Sequence, residues 1–247
     1  MRGFIDLHSH WVADVDDGVR SHADGGSLLA ELAAIGFEHV VATPHMRIGM
    51  FDNEAEGLRR AFERTTEALG YGEERRPRGL PAIGLASEHF LDDVVFERLA
   101  TGRGLPFPGG HAALVELSPR GFPARLAERL VDLRRRGLRT VIAHPERYET
   151  VWKDRESLEP LLDAGAVLQL DVASLVGKYG RAPQRAAEAL LEEGWYTLAA
   201  SDAHKAKDVD EVARAIERVA ELAGDDEVDF LLREGPRAVL EGRLDEL

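Results

Sequence analysis

The chain has no cysteine among its 247 residues, which excludes disulfides, thiolate zinc sites and any chemistry that needs a cysteine nucleophile. At this size a fold needs no such staples. Long apolar runs are lacking too: none approaches the roughly 18 residues of a membrane span. The histidine pair at His8 and His10 comes too early to leave room for a signal peptide, so the chain is expected to be cytoplasmic and not embedded in a membrane. Excess positive charge is also missing. With 45 acids against 31 bases and a formal charge of -14, a general nucleic-acid surface or an anionic-membrane surface would repel the molecule. The hydrophobic content of 44% is ordinary for a globular core, and the length fits one large domain or two small ones.

What the sequence has is a series of short apolar runs that end on metal-binding side chains. Phe4-Ile5-Asp6-Leu7 runs into His8-Ser9-His10, and Val40-Val41-Ala42 into His45. Ile83 to Ala86 leads to Glu88, Ala112 to Val115 to Glu116, Val141-Ile142-Ala143 to His144, Val167 to Leu170 to Asp171, and Thr197 to Ala200 to Asp202 and His204. Side chains alternate along a strand, so His8 and His10 share a face and can clasp one cation.

Between the runs lie helical patterns. Leu28, Leu29, Leu32 and Ile35 form a stripe closed by Gly36, with Ser21 as its N-cap. Further helices are expected over 54–69, 123–136, 157–164, 183–193 and 208–222, with more after Asp225. Alternating strands and helices imply a parallel sheet, and seven units without a break in composition favour closure into one TIM-like α/β barrel spanning 1–247. The irregular stretches Gly70 to Pro81 and Thr101 to Gly110 are too short to divide two cores, and dividing the chain at either would split the series.

In such barrels the functional groups gather at the C-terminal strand ends. That places His8, His10, His45, Glu88, Glu116, His144, Asp202 and His204 together, with Asp17 reaching over from the first loop. Asp16 offers the same group one position earlier. Imidazoles mixed with carboxylates, without sulfur, suit Mn, Fe or Zn. Nine such groups exceed the shell of one metal and with waters would serve about two or three divalent ions. The carboxylates Asp17, Glu88, Glu116 and Asp202 plus a hydroxide do not fully offset three divalent cations, and Arg147 adds a further positive group. The expected reaction is therefore hydrolysis of a phosphomonoester by activated water, with Arg147 neutralising a phosphoryl oxygen.

Taken together, these motifs resemble those of the PHP (polymerase and histidinol phosphatase) superfamily, in particular the bacterial manganese-dependent protein tyrosine phosphatases of capsule and exopolysaccharide operons. The resemblance runs end to end. It rests on Asp6-Leu7-His8-Ser9-His10, Asp16-Asp17-Gly18, Thr43-Pro44-His45, Ser87-Glu88, Val115-Glu116, Ala143-His144-Pro145-Glu146-Arg147-Tyr148, Ala200-Ser201-Asp202-Ala203-His204 and Gly235-Pro236-Arg237. It implies a distorted seven-stranded barrel with two or three metal ions, Mn foremost, held by His8, His10, Asp17, His45, Glu88, Glu116, His144, Asp202 and His204. It also implies a catalytic role for Arg147 and a phosphotyrosine protein as substrate, namely a bacterial tyrosine kinase of polysaccharide synthesis. A small-molecule phosphatase, such as one acting on histidinol phosphate, and a non-catalytic module of the same fold are the alternatives. One element departs from the family pattern: where relatives carry Asn and an Arg-Pro-Pro element, this chain has Lys205-Ala206-Lys207-Asp208-Val209. A lysine there would supply a point charge without the bidentate fork of arginine.

Other residues carry structural expectations. Asp6 lies deeper on the face of His8 and is expected to orient it, Asp171 to be structural, and His22, His39, His89 and His111 to be packing or surface histidines. Arg147 has a competing reading as a structural ion pair. The Ser174 to Gly180 loop is either a cover for the site or a plain connector.

Overall fold

The computed structural model describes residues 2–72 and 75–247; Glu73 and Glu74, within the irregular Gly70 to Pro81 stretch, lie outside the described residues. The strands are β1 (Phe4–Ser9), β2 (Phe37–Ala42), β3 (His45–Met46), β4 (Ala82–Leu85), β5 (Glu88–Phe90), β6 (Ala112–Glu116), β7 (Arg139–Ala143), β8 (Val167–Asp171) and β9 (Tyr196–Ala200). The helices are α1 (His22–Ala34), α2 (Ala55–Ala68), α3 (Asp93–Ala100), α4 (Leu126–Arg135), α5 (Glu149–Lys153), α6 (Glu159–Asp163), α7 (Arg181–Glu192), α8 (Val209–Ala223), α9 (Asp225–Asp229) and α10 (Gly235–Glu241). No helix among the described residues is long and apolar enough to cross a membrane.

The fold is α/β, and every pairing between the named strands is parallel. Instead of one seven-stranded ring, the pairing gives a sheet ordered β1-β2-β4 and a second ordered β3-β5-β6-β7-β8-β9. The difference has a local cause. Thr43-Pro44 interrupts the second apolar run and Ala86-Ser87 the third, so each yields two strands, and Pro44 has no N–H to give to a ladder. Hydrogen bonds still bridge the breaks, among them Ala86 N donating to Ala42 O at 2.8 Å and Thr43 N to Ser9 O at 2.9 Å. Beyond β9 the chain meets β1 again: Asp202 N donates to His8 O and His10 N to Ala203 O, both at 2.9 Å.

The strands are buried on both faces, as parallel strands between a core and covering helices must be. Ile5, Leu7, Val41, Leu114, Val141 and Leu198 form one apolar cluster. The alternate residues Val40, Ala42, Ala113, Val115, Ile142 and Ala199 join the larger cluster that includes helix residues such as Leu28, Leu130, Leu190 and Val212.

The expected helices form, with altered ends. Ser21 does cap α1, its side chain accepting from Asp24 N at 3.2 Å. The helix expected from Pro123 starts at Leu126, after Arg125 at φ +60°. The segment 157–164 is a 3-10 turn followed by the short α6. Helix α3 was not anticipated, although Asp92 is a proper N-cap that accepts from Val95 N at 2.7 Å.

Candidate metal centre

The strand ends converge. All nine expected ligands fall into four overlapping groups whose ligand atoms lie within 4.8 Å of one another: His10, Asp17, His45 and His204; His8, His144 and Asp202; His8, His10 and Glu88; and His45, Glu88 and Glu116. Sharing of His8, His10, His45 and Glu88 makes them neighbouring sites in one cavity. Glu88 lies 2.9 Å from both His144 Nε2 and His45 Nδ1, while Asp202 Oδ1 is 3.2 Å from His8 Nε2. Asp17 is the outermost member, with Oδ1 3.4 Å from the Nε2 atoms of His45 and His204.

Local structure aims these groups. Glu116 continues the face of Leu114, as period-two alternation requires. His144 and Asp202 instead sit in the left-handed region, at φ +35° and +45°. A non-glycine residue held there costs roughly 1–3 kcal/mol, a strain that collects at functional sites. Gly18 turns the first loop back against β1. A Cβ on it would lie 2.2 Å from His10 O, so only glycine lets the Asp16-Asp17 segment close over the site.

Two imidazoles have their tautomers fixed from behind. His10 Nδ1 donates to Asp16 Oδ2 at 2.7 Å and His8 Nδ1 to Gln169 Oε1 at 3.0 Å. Each leaves an Nε2 lone pair facing the cavity, the arrangement that orients a metal-bound histidine. Asp16 is thereby separated from Asp17: it is buried, also accepts from Gly18 N and His45 N, and acts on His10 from outside the cluster. Asp6 does not touch the His8 ring. It accepts from His8 N at 3.2 Å and from Ser201 Oγ and Ser201 N, holding the His8 backbone and tying β1 to the end of β9. Gln169 is the orienting partner that the sequence reading missed; the signal was an amide inside the apolar run Val167 to Leu170.

Electrostatics match a cation-binding cavity. Burial opposes charge on His8, yet facing Asp202 and Glu88 push it up to about 10. His45 is driven in the same direction by Glu88 against the same burial, to about 11. Burial raises Glu116 to about 7, with help from the Glu88 charge. Buried His144 beside Arg147 falls to about 4. The cavity thus concentrates carboxylates that want cations, and His8 Nε2, His10 Nε2, His144 Nδ1, Glu116 Oε2 and Asp202 Oδ1 are buried without hydrogen bonds. Buried polar atoms left without hydrogen bonds are costly unless an ion takes them. This donor set, nitrogen and oxygen without sulfur, fits divalent transition metals.

Arg147 borders the centre. Its Nη1 is 2.6 Å from Asp202 Oδ2 and 3.6 Å from Asp171 Oδ2, and its guanidinium lies 4.3 Å from the Tyr179 ring centroid. It makes the ion pair that the structural reading expected while facing a hollow shared with Glu116 and His144. Asp171 stays outside the four groups; it pairs with Arg147 and caps the next turn through Ala173 N. A second arginine escaped the sequence reading. Arg47, two residues after His45 and hence on its face, lies 3.9 Å from Glu116 Oε2. Lys205 and Lys207 are exposed and border a separate hollow with Gly18 and Arg20.

The profile of the family described as "Capsular polysaccharide synthesis, CpsB/CapC" matches residues 4–241. The chain belongs to the CpsB/CapC family. Among its CpsB/CapC relatives, it is 29% identical over 205 residues to the tyrosine-protein phosphatase YwqE of Bacillus subtilis, covering 82% of this chain and 78% of that one. It is 29% identical to the tyrosine-protein phosphatase CpsB of Streptococcus pneumoniae, covering 81% and 82%. The fold superposes with a TM-score of 0.85 and 26% identity, over 97% of this chain and 95% of the other, on a structure from work on YwqE and CpsB, described as unique metal-dependent tyrosine phosphatases. A phosphotriesterase from Mycobacterium tuberculosis shares the fold at a TM-score of 0.56 and 15% identity.

Proposed function

We propose that residues 1–247 act as one metal-dependent phosphatase unit that hydrolyses phosphotyrosine in protein. The observation that carries this reading is the convergence of nine imidazoles and carboxylates, with unpartnered buried atoms, beside a guanidinium. His8, His10, Asp17, His45, Glu88, Glu116, His144, Asp202 and His204 would hold two or three divalent ions, manganese being the family expectation. Bound there, the ions supply positive charge that polarises a phosphoryl group and activates water. Seven passes of chain, counting β2 with β3 and β4 with β5, make a distorted barrel around them, supported by the bridge from Ser9 to Ala203.

The protein's own groups complete the chemistry. Arg147 has five N–H donors. Asp202 engages one end, and the rest can take nonbridging phosphoryl oxygens as charge moves toward the leaving oxygen. Arg47, on the Glu116 side, supplies a second guanidinium in a chain without the Arg-Pro-Pro element. Asp16 and Gln169 keep His10 and His8 in the binding tautomer. Tyr148 is committed elsewhere, donating to Ala143 O and accepting from Leu117 N, so it is not a proton donor for the leaving group. A phenolate needs less acid assistance than an alkoxide, which favours aryl over alkyl phosphates.

The protein partner is then a tyrosine kinase of polysaccharide synthesis, in the cytoplasm. Phosphate release from a phosphotyrosine peptide and from histidinol phosphate by manganese-loaded protein, each with a chelated control, tests the reading. Chelator-sensitive preference for the peptide is expected; preference for histidinol phosphate would overturn the substrate assignment.

A further inference from the structure

The hollow at Arg147 has a volume of about 260 Å³. Its floor is Glu116, His144 and Arg147, and its walls include Trp152, Tyr179 and Pro183. These walls present flat ring faces, whereas the floor holds two of the expected metal ligands and the guanidinium proposed to meet a phosphoryl oxygen. An engineered cavity of about 150 Å³ takes up benzene, so this hollow has room for one aromatic ring.

Both aromatic walls are anchored to the segment that carries Arg147. Trp152, one of the few large apolar residues left exposed at 40%, donates from Nε1 to Glu146 O at 2.6 Å. Glu146 is itself fixed: its buried carboxyl accepts from Asp171 N, Ser174 Oγ and Tyr196 OH at 2.9 to 3.1 Å. Tyr179 stands between Gly177 and Gly180, both at positive φ, in a turn that lays its ring on the Arg147 guanidinium. An exposed indole tied down by its only polar atom is a pre-set surface, since little entropy remains to be lost when a ligand packs on it.

We propose that Trp152, with the Tyr179 ring that lies on Arg147, forms an aryl clamp that binds the ring of the substrate and makes this site select aryl over alkyl phosphates. The proposal deepens the phosphatase reading and rests on it for the identity of the floor. The occupant is a phenyl ring one bond from a phosphoryl group. A phosphorylated alkyl chain would leave the walls uncovered.

Binding of non-hydrolysable ligands tests the clamp separately from turnover. Calorimetry on metal-loaded protein would compare phenylphosphonate with methylphosphonate for the native chain, Trp152→Ala and Trp152→Phe. The native protein is expected to prefer the phenyl ligand by about tenfold, the scale of one aromatic contact. Trp152→Ala should lose most of that preference while methylphosphonate affinity changes less than twofold, and Trp152→Phe should restore it. Equal affinities in the native protein, an unchanged preference in Trp152→Ala, or equal weakening of both ligands would overturn the clamp. Phosphotyrosine turnover with no phenyl preference would sink the clamp and leave the phosphatase reading standing. A phenyl preference without any turnover would do the reverse.

Discussion

At the scale of single residues, the proposed function separates the groups that would hold cations from Arg147, which would act on substrate. His144 is a buried imidazole with an unpartnered nitrogen, so His144→Ala should lower metal content and reduce turnover by roughly a thousandfold or more. Arg147→Ala should instead leave metal content intact and lower turnover by about a hundredfold, the scale of one lost donor to a developing charge. Metal analysis beside kinetics on both variants checks the division, and equal metal loss in both would contradict it.

His89 makes a different residue-scale prediction. It is fully buried, donates from Nδ1 to Leu114 O at 2.8 Å and accepts from Leu105 N at Nε2 at 3.1 Å. Burial pushes its pKa down to about 4 from an ordinary 6.5. The unfolded chain therefore binds a proton between these values that the folded chain refuses. Its contribution is intact above pH 6.5 and is lost as pH falls toward 4, by up to about 3 kcal/mol. Urea unfolding at pH 7 and pH 5 should show a smaller drop for His89→Gln than for the native chain. Identical drops would mean that the imidazole is not the group responsible.

At the scale of elements, much was legible because the candidate site residues lie at strand ends. Period-two patterns and glycine stops located every apolar run, and the polar residues closing all of them but the run ending at Asp171 fall in the four ligand groups. What could not be read was how strands pair around Thr43-Pro44 and Ala86-Ser87, because a break in a ladder depends on neighbours distant in sequence. Gln169, Arg47 and the Asp16 contact with His10 escaped for the same reason: each acts through a partner on another strand or loop. Asp6 does reach His8, through the backbone N–H rather than the ring, and Ser201 is the partner the sequence did not show. The first loop offers a test. Gly18→Ala should force the loop off His10 O, displace Asp16 and Asp17 together, and weaken manganese binding by at least tenfold. Helical content should persist by circular dichroism, and unaltered affinity would show that the loop does not position those carboxylates.

At the scale of the molecule, a net charge of -14 surrounds a centre whose own carboxylates call for cations. The centre sits where β1 and the end of β9 meet, so ions bound there tie the two ends of the strand series together. Binding to the folded state alone must raise its stability, and it competes with protons for the imidazoles, so affinity should fall as pH drops. The most direct test of the account is a manganese titration of chelated protein, following ions bound per chain and phosphate released from a phosphotyrosine peptide in the same samples. Turnover that is absent in the chelated chain and rises as two or three ions bind is the predicted result. Phosphate release without bound metal, or full metal binding without phosphate release, would contradict it.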